Sequence, residues 1–69
     1  MNNIYLVTRQ KDNVLVSIMR NKLDGTYSFV NLTKGHIYTC KFYTVEEAVK
    51  DMQTKKENGE VVDYFKVGE

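Results

Sequence analysis

The chain contains no proline and no tryptophan, and it has one cysteine and one histidine among 69 residues. A single cysteine, Cys40, excludes an internal disulfide, and such sparing use of cysteine fits a reducing compartment. The single histidine, His36, stands beside Gly35 in a predicted turn. A metal site needs further His, Cys or carboxylate ligands at fixed spacing, so we read His36 as a turn residue and expect no metal and no cofactor. Neither a P-loop nor a G-x-G-x-x-G segment is present. No apolar run approaches the roughly 20 residues that a membrane span requires. The opening MNNIYLVTRQ lacks the basic and apolar regions of a signal peptide. The expectation is a cytoplasmic protein with no membrane contact.

What is present describes a small globular domain. Hydrophobic residues make up 42% and charged residues 28%, a balance that supports a packed core rather than disorder. Residues 1–69 form one domain, near the lower size limit for folding on a single core. The charge is uneven: residues 1–43 carry six cations against two acids, and residues 44–69 carry four against seven. Such asymmetry is compatible with a nucleic-acid face, for which Arg9, Arg20, Lys22 and Lys41 are the candidates. More often such asymmetry is ordinary surface charge on a small domain.

Four strands are predicted before a helix, and one after it. IYLVTR (4–9) and VLVSIMR (14–20) are rich in β-branched residues. TYSFVNL (26–32) follows Asp24-Gly25, a strong hairpin signal, and IYTCKF (37–42) follows Lys34-Gly35. Two-residue loops at these sites would place Arg20 opposite Phe29, Phe29 opposite Cys40 and Tyr27 opposite Phe42. Period-2 alternation then sorts the side chains. Val14, Val16, Ile18, Tyr27, Phe29, Tyr38, Cys40 and Phe42 form an aromatic-rich core face. Leu15, Ser17, Met19, Ser28, Val30, Leu32, Ile37, Thr39 and Lys41 form an outer face. The facing of the first strand depends on the length of its loop and stays open.

The segment KFYTVEEAVKDM (41–52) opens the helix. Thr44 is the predicted N-cap and Glu47 completes a capping box, with Tyr43 and Ala48 as a candidate hydrophobic staple. Val45, Ala48, Val49 and Met52 make one apolar stripe. Lys55 and Lys56 fall in the last turn and Asn58-Gly59 marks the stop, giving a helix over 45–57. VVDYFKV (61–67) closes the chain as a strand, with Val61, Phe65 and Val67 on one side. Glu46 and Glu47 point about 100° apart on such a helix, so they suit the helix dipole rather than paired acid–base work. Cys40 has no basic neighbour to activate it. Nothing here supports an enzyme.

The predicted architecture is α+β, β-β-β-β-α-β, with a mainly antiparallel sheet and one helix on its aromatic face. A helix of about 13 residues is near 20 Å long and shields only one side of such a sheet. The outer face is left open, and its apolar residues Leu15, Met19, Val30, Leu32 and Ile37 are the candidate partner-binding surface, for another protein or for a second copy of the chain.

Two resemblances accompany this reading. Phe42, Thr44, Glu46, Glu47 and Ala48 resemble the F-x-T-x-E-E-A signature of the three-stranded DNA-binding domain of plant ethylene-response factors and phage integrase arm-binding domains. That resemblance implies a small DNA-binding module. Those domains read DNA with Arg and Trp on the open sheet face, whereas this chain places Ser17, Met19, Ser28, Val30, Leu32 and Thr39 there. The whole chain, through NNIYLVTRQKDN and its Lys-, Asn- and Tyr-rich usage, is similar to small accessory proteins of phages and prophages of low-GC Gram-positive bacteria, staphylococcal phages among them. This implies a non-enzymatic protein in the host cytoplasm that binds a host or phage protein and inhibits or redirects it.

Overall fold

The structure, a computed structural model, describes residues 3–68. Five strands and one helix follow in the order β1 (Asn3–Thr8), β2 (Asn13–Arg20), β3 (Tyr27–Asn31), β4 (His36–Ile37), α1 (Val45–Glu57) and β5 (Asp63–Gly68). The strands form one sheet in the order β4-β3-β2-β1-β5, with every neighbouring pair antiparallel. The fold is α+β, as the alternation predicts.

The helix packs on the predicted aromatic face. Val7, Val14, Val16, Ile18 and Phe29 of the sheet, with Ala48 and Met52 of α1, are buried together with Tyr5 and Val61. Phe29 sits at the centre of an aromatic group, edge-on to Tyr38 at 6.4 Å and to Phe42 at 5.2 Å. Tyr27, Tyr38 and Phe42 pack around this core, which matches the expected face for all but Cys40.

The hairpins differ from expectation in a regular way. Arg20 pairs with Tyr27 and Ile18 with Phe29, two residues away from the predicted register. The cause is loop length. Asn21-Lys22-Leu23-Asp24-Gly25-Thr26 and Asn31-Leu32-Thr33-Lys34-Gly35-His36 share an Asn-x-x-x-Gly pattern. In each, the glycine N–H donates to the asparagine carbonyl at 2.8 Å. The loops therefore hold four residues rather than two, and each ends on a glycine at positive φ, 72° for Gly25 and 67° for Gly35, where a Cβ is unfavourable. An even shift keeps every side chain on its predicted face. Between β1 and β2 the turn is shorter. Arg9 N–H donates to the Asp12 carbonyl at 2.8 Å, and this places Tyr5 and Val7 inside and Ile4 and Leu6 outside.

The fourth strand is much shorter than the expected 37–42. Tyr38 N–H donates to the Phe29 carbonyl, and Phe42 then bonds Tyr27 in both directions. Thr39, Cys40 and Lys41 thus span a stretch where Ser28 alone lies opposite, and they loop out. Cys40 is exposed rather than a core residue. Thr39 and Lys41 likewise leave the sheet's outer face. The last strand begins at Asp63, not at residue 61. Val61 precedes it and is buried in the core, while Phe65 and Val67 are half exposed, so these three do not share a side as expected.

The helix matches its predicted bounds. Thr44 Oγ1 accepts the Glu47 N–H at 3.1 Å. The Glu47 carboxylate reaches back to the Tyr43 N–H at 3.0 Å, one residue before the cap itself. Tyr43 is exposed, so no staple to Ala48 forms.

Candidate interaction face

Two features of the sheet offer a surface: its uncovered side, and the margin of the helix-covered side. The uncovered side is set by register. One row across the strands reads Ile37, Val30, Ser17 and Ile4. A second reads Leu15, Leu6 and Phe65, and Met19 lies opposite Ser28. Leu32 joins the second row, because its N–H donates to the Leu15 carbonyl at 2.8 Å. Ile37 is 65% exposed, Phe65 51%, Leu32 46%, Met19 41% and Leu15 39%. Ser17 and Ser28 are only 1% and 3% exposed although no helix covers them. They form the floor of a shallow trough between larger apolar side chains.

None of these residues is charged. Five large apolar side chains on this side are each at least 39% exposed, and apolar exposure gathered in one area marks contact sites. Its polar atoms are largely occupied or sunken. Ser28 Oγ accepts from Asn21 Nδ2 at 2.9 Å, and Ser17 Oγ is buried without a hydrogen-bond partner. Chemically the face suits the exclusion of water against another apolar surface.

All five predicted partner-binding residues, Leu15, Met19, Val30, Leu32 and Ile37, lie on this side of the molecule. Val30 is the least open of them, partly covered between its neighbours. Sequence reading missed Ile4, Leu6 and Phe65. Their facing follows from the β1–β2 turn, whose tip, Gln10-Lys11, has no glycine. The available signal was the Arg9-x-x-Asp12 spacing. Arg9 Nε and Nη2 clamp the Asp12 carboxylate at 2.7 Å each, and Lys34 approaches it at 3.2 Å. Hydrogen bonds from Arg9 hold the Asp12 carboxyl well below the ordinary carboxylate range.

On the other side a pocket lies between the helix and the sheet. It has a volume of about 240 Å³ and is lined by Val14, Val16, Phe29, Met52 and Val61. Arg9, Tyr38, Lys55 and Glu60 supply its polar lining. Both cations are engaged, Arg9 with Asp12 and Lys55 with Asp51, and the Lys55 ammonium also lies 5.6 Å from the centre of the Phe29 ring. The cavity suits an apolar side chain more than a charged ligand.

The four candidate nucleic-acid contacts do not form one surface. Arg9 belongs to the β1–β2 turn, while Arg20, Lys22 and Lys41 gather near the β2–β3 loop at the opposite end of β2. Lys41 is paired with Asp24 at 3.0 Å. Hydrogen bonds from Thr26, with help from Lys41, keep Asp24 well below the usual carboxylate range. His36 is exposed and stacks edge-on with Tyr38 at 4.6 Å. Among the described residues no group of three or more His, Cys, Asp or Glu is placed to hold a metal ion, and no helix is long and apolar enough to cross a membrane.

No family model, curated protein or solved structure matches the chain.

Proposed function

We propose that this protein is a non-enzymatic accessory protein that acts by binding another protein through the open face of its sheet. The observation that carries the reading is the uncharged, uncovered row Leu15, Leu6 and Phe65, flanked by Ile37, Leu32 and Met19. Interfaces draw their energy from a few apolar anchors at a dry centre, and this face presents several with no charge to desolvate. The resemblance read in the sequence to small phage and prophage proteins would imply a partner in the bacterial cytoplasm, a host or phage protein that is inhibited or redirected by the contact. DNA binding is the weaker reading, since the cations stand at two ends of the sheet and two of them are ion-paired.

The test is capture of a partner from host lysate by the wild type and by Leu15→Lys and Ile37→Lys, followed by binding measurements with the purified partner. Binding should survive a rise from low to high salt and be lost in both variants. Steep loss of binding with salt, and retention of nucleic acid in place of protein, would show counterion release from phosphates instead and would overturn the proposal.

A further inference from the structure

We infer that β5 is a pairing edge, and that its occupant is a second copy of the chain, joined antiparallel about a two-fold axis at Phe65. The inference concerns the backbone edge of the sheet, which shares Phe65 with the open face, and goes beyond the partner-binding reading.

The argument begins with where the backbone groups of β5 point. Along a strand, consecutive residues turn their N–H and C=O groups to opposite sides. Arg9 N–H donates to the Asp12 carbonyl, toward β2, and the Thr8 carbonyl accepts the Val62 N–H at 2.8 Å, toward β5. Even-numbered residues of β1 therefore aim their backbone at β5. Leu6 lies opposite Phe65, so Phe65 exchanges bonds with Leu6, and its neighbours Tyr64 and Lys66 aim outward. A side-chain contact agrees independently. Tyr64 N–H donates to Asp63 Oδ1 at 2.9 Å, the carboxylate of its own neighbour and not a β1 carbonyl.

Buried or exposed, such groups are a template for another strand. Among the described residues, no segment pairs with the outer side of β5, which ends the sheet. The opposite edge is different: β4 has two residues and then loops away. β5 has six residues, no proline, and half-exposed Phe65 and Val67 beside the open backbone.

Side-chain chemistry selects a second copy. An axis at Phe65 places the two phenylalanines opposite each other as a close, non-hydrogen-bonded pair. Tyr64, its N–H released from Asp63 Oδ1, then exchanges N–H and C=O bonds with the partner's Lys66, and Lys66 with the partner's Tyr64. On the helix side each lysine meets a tyrosine ring, a favourable cation–aromatic contact. On the open side the Leu6–Phe65 row runs on into the partner's row. No like charges meet. An axis moved to Lys66 would set lysine directly against lysine, which is destabilising. A one-residue slip would turn the apolar face of one copy to the helix side of the other.

Cross-linking and sedimentation test this. In a Cys40→Ser background, Phe65→Cys should oxidise readily to a covalent dimer, because directly opposed residues fall within disulfide reach. Val67→Cys should not, since the two copies of residue 67 would lie about 13 Å apart at roughly 3.3 Å per residue. Wild type should sediment at twice the chain mass. Lys66→Pro, which removes an outward N–H and leaves the β1 ladder intact, should be a folded monomer. Leu15→Lys should stay dimeric, so loss of partner binding and loss of dimer are separable. A wild type that remains monomeric at high micromolar concentration overturns the inference, as does a dimer that folded Lys66→Pro retains. Equal cross-linking by Val67→Cys does so too, and this arm decides the matter if Lys66→Pro fails to fold.

Discussion

Phe29 and Ser17 carry opposite consequences from similar burial. Phe29 is 5% exposed, touches two aromatic rings and lies beneath the Lys55 ammonium. Removing its ring leaves a void in the core shared by the sheet and α1. Phe29→Ala should cost about 3–5 kcal/mol, much of the total stability of a small domain, and chemical denaturation should show a large fall in midpoint. A loss under about 1 kcal/mol would place Phe29 outside the core. Ser17 is buried between Ile4 and Val30 with no partner for its hydroxyl. An unsatisfied buried hydroxyl costs free energy that alanine does not. Ser17→Ala should therefore raise stability by about 1 kcal/mol; an equal loss would mean that the hydroxyl is bonded in solution.

At the scale of elements, local signals were legible where a single residue type decides the geometry. Thr44 and Glu47 announced the start of α1, and Thr44→Ala should cost about 1 kcal/mol, seen as reduced helicity and a lower Tm. Alternation along β2 and β3 identified the core face and the five outer-face residues because side-chain period is insensitive to a two-residue shift. Loop length was not legible. Asp24-Gly25 and Lys34-Gly35 carry the dipeptide of a two-residue turn, but the asparagines at 21 and 31 are bonded four residues ahead and lengthen both loops. The loop-out at Thr39–Lys41 gave no signal, since IYTCKF alternates as a strand does, and so Cys40 was misplaced. The loops also depend on ion pairs. Asp12 clamps the β1–β2 turn, Asp24 the β2–β3 loop, and Asp63 joins β5 to Lys56 of α1 at 3.1 Å. Hydrogen bonds hold Asp12, Asp24 and Asp63 below the ordinary value of 3.8, those from Arg9, Thr26 and Lys56 being the largest cause in each. Folded-state values lowered in this way give stability that is complete above 3.8 and is lost as pH falls toward the folded values. Each site is partly exposed, so solvent weakens its contribution. Tm should be level from neutral pH to about pH 4 and decline below it, and Asp12→Asn should flatten the decline. An unchanged acid limb in that variant would remove Asp12 from the account.

At the scale of the whole molecule, the decisive property is that one helix serves a two-sided sheet. α1 and its flanking aromatics seal Val14, Val16 and Ile18, each 5% exposed or less. The residues between and beyond them on the same strand, Leu15, Ser17 and Met19, look the other way. Neighbours in sequence should thus respond oppositely to the same change. Val16→Lys places an ammonium beneath the helix with no partner, a burial that costs several kcal/mol, and a domain this small should not fold with it. Leu15→Lys places the same group on a side chain already 39% exposed, where the lysine stem can lie along the sheet and its charge reach water. Its stability should stay within about 0.5 kcal/mol of wild type. Far-UV circular dichroism and thermal melts of the two variants, read side by side, measure the contrast. If Leu15→Lys unfolds as Val16→Lys does, the outer face is a second core layer, and the surface on which partner binding is proposed does not exist. If it stays folded, an apolar face that the fold does not need for its own stability stands open to a partner.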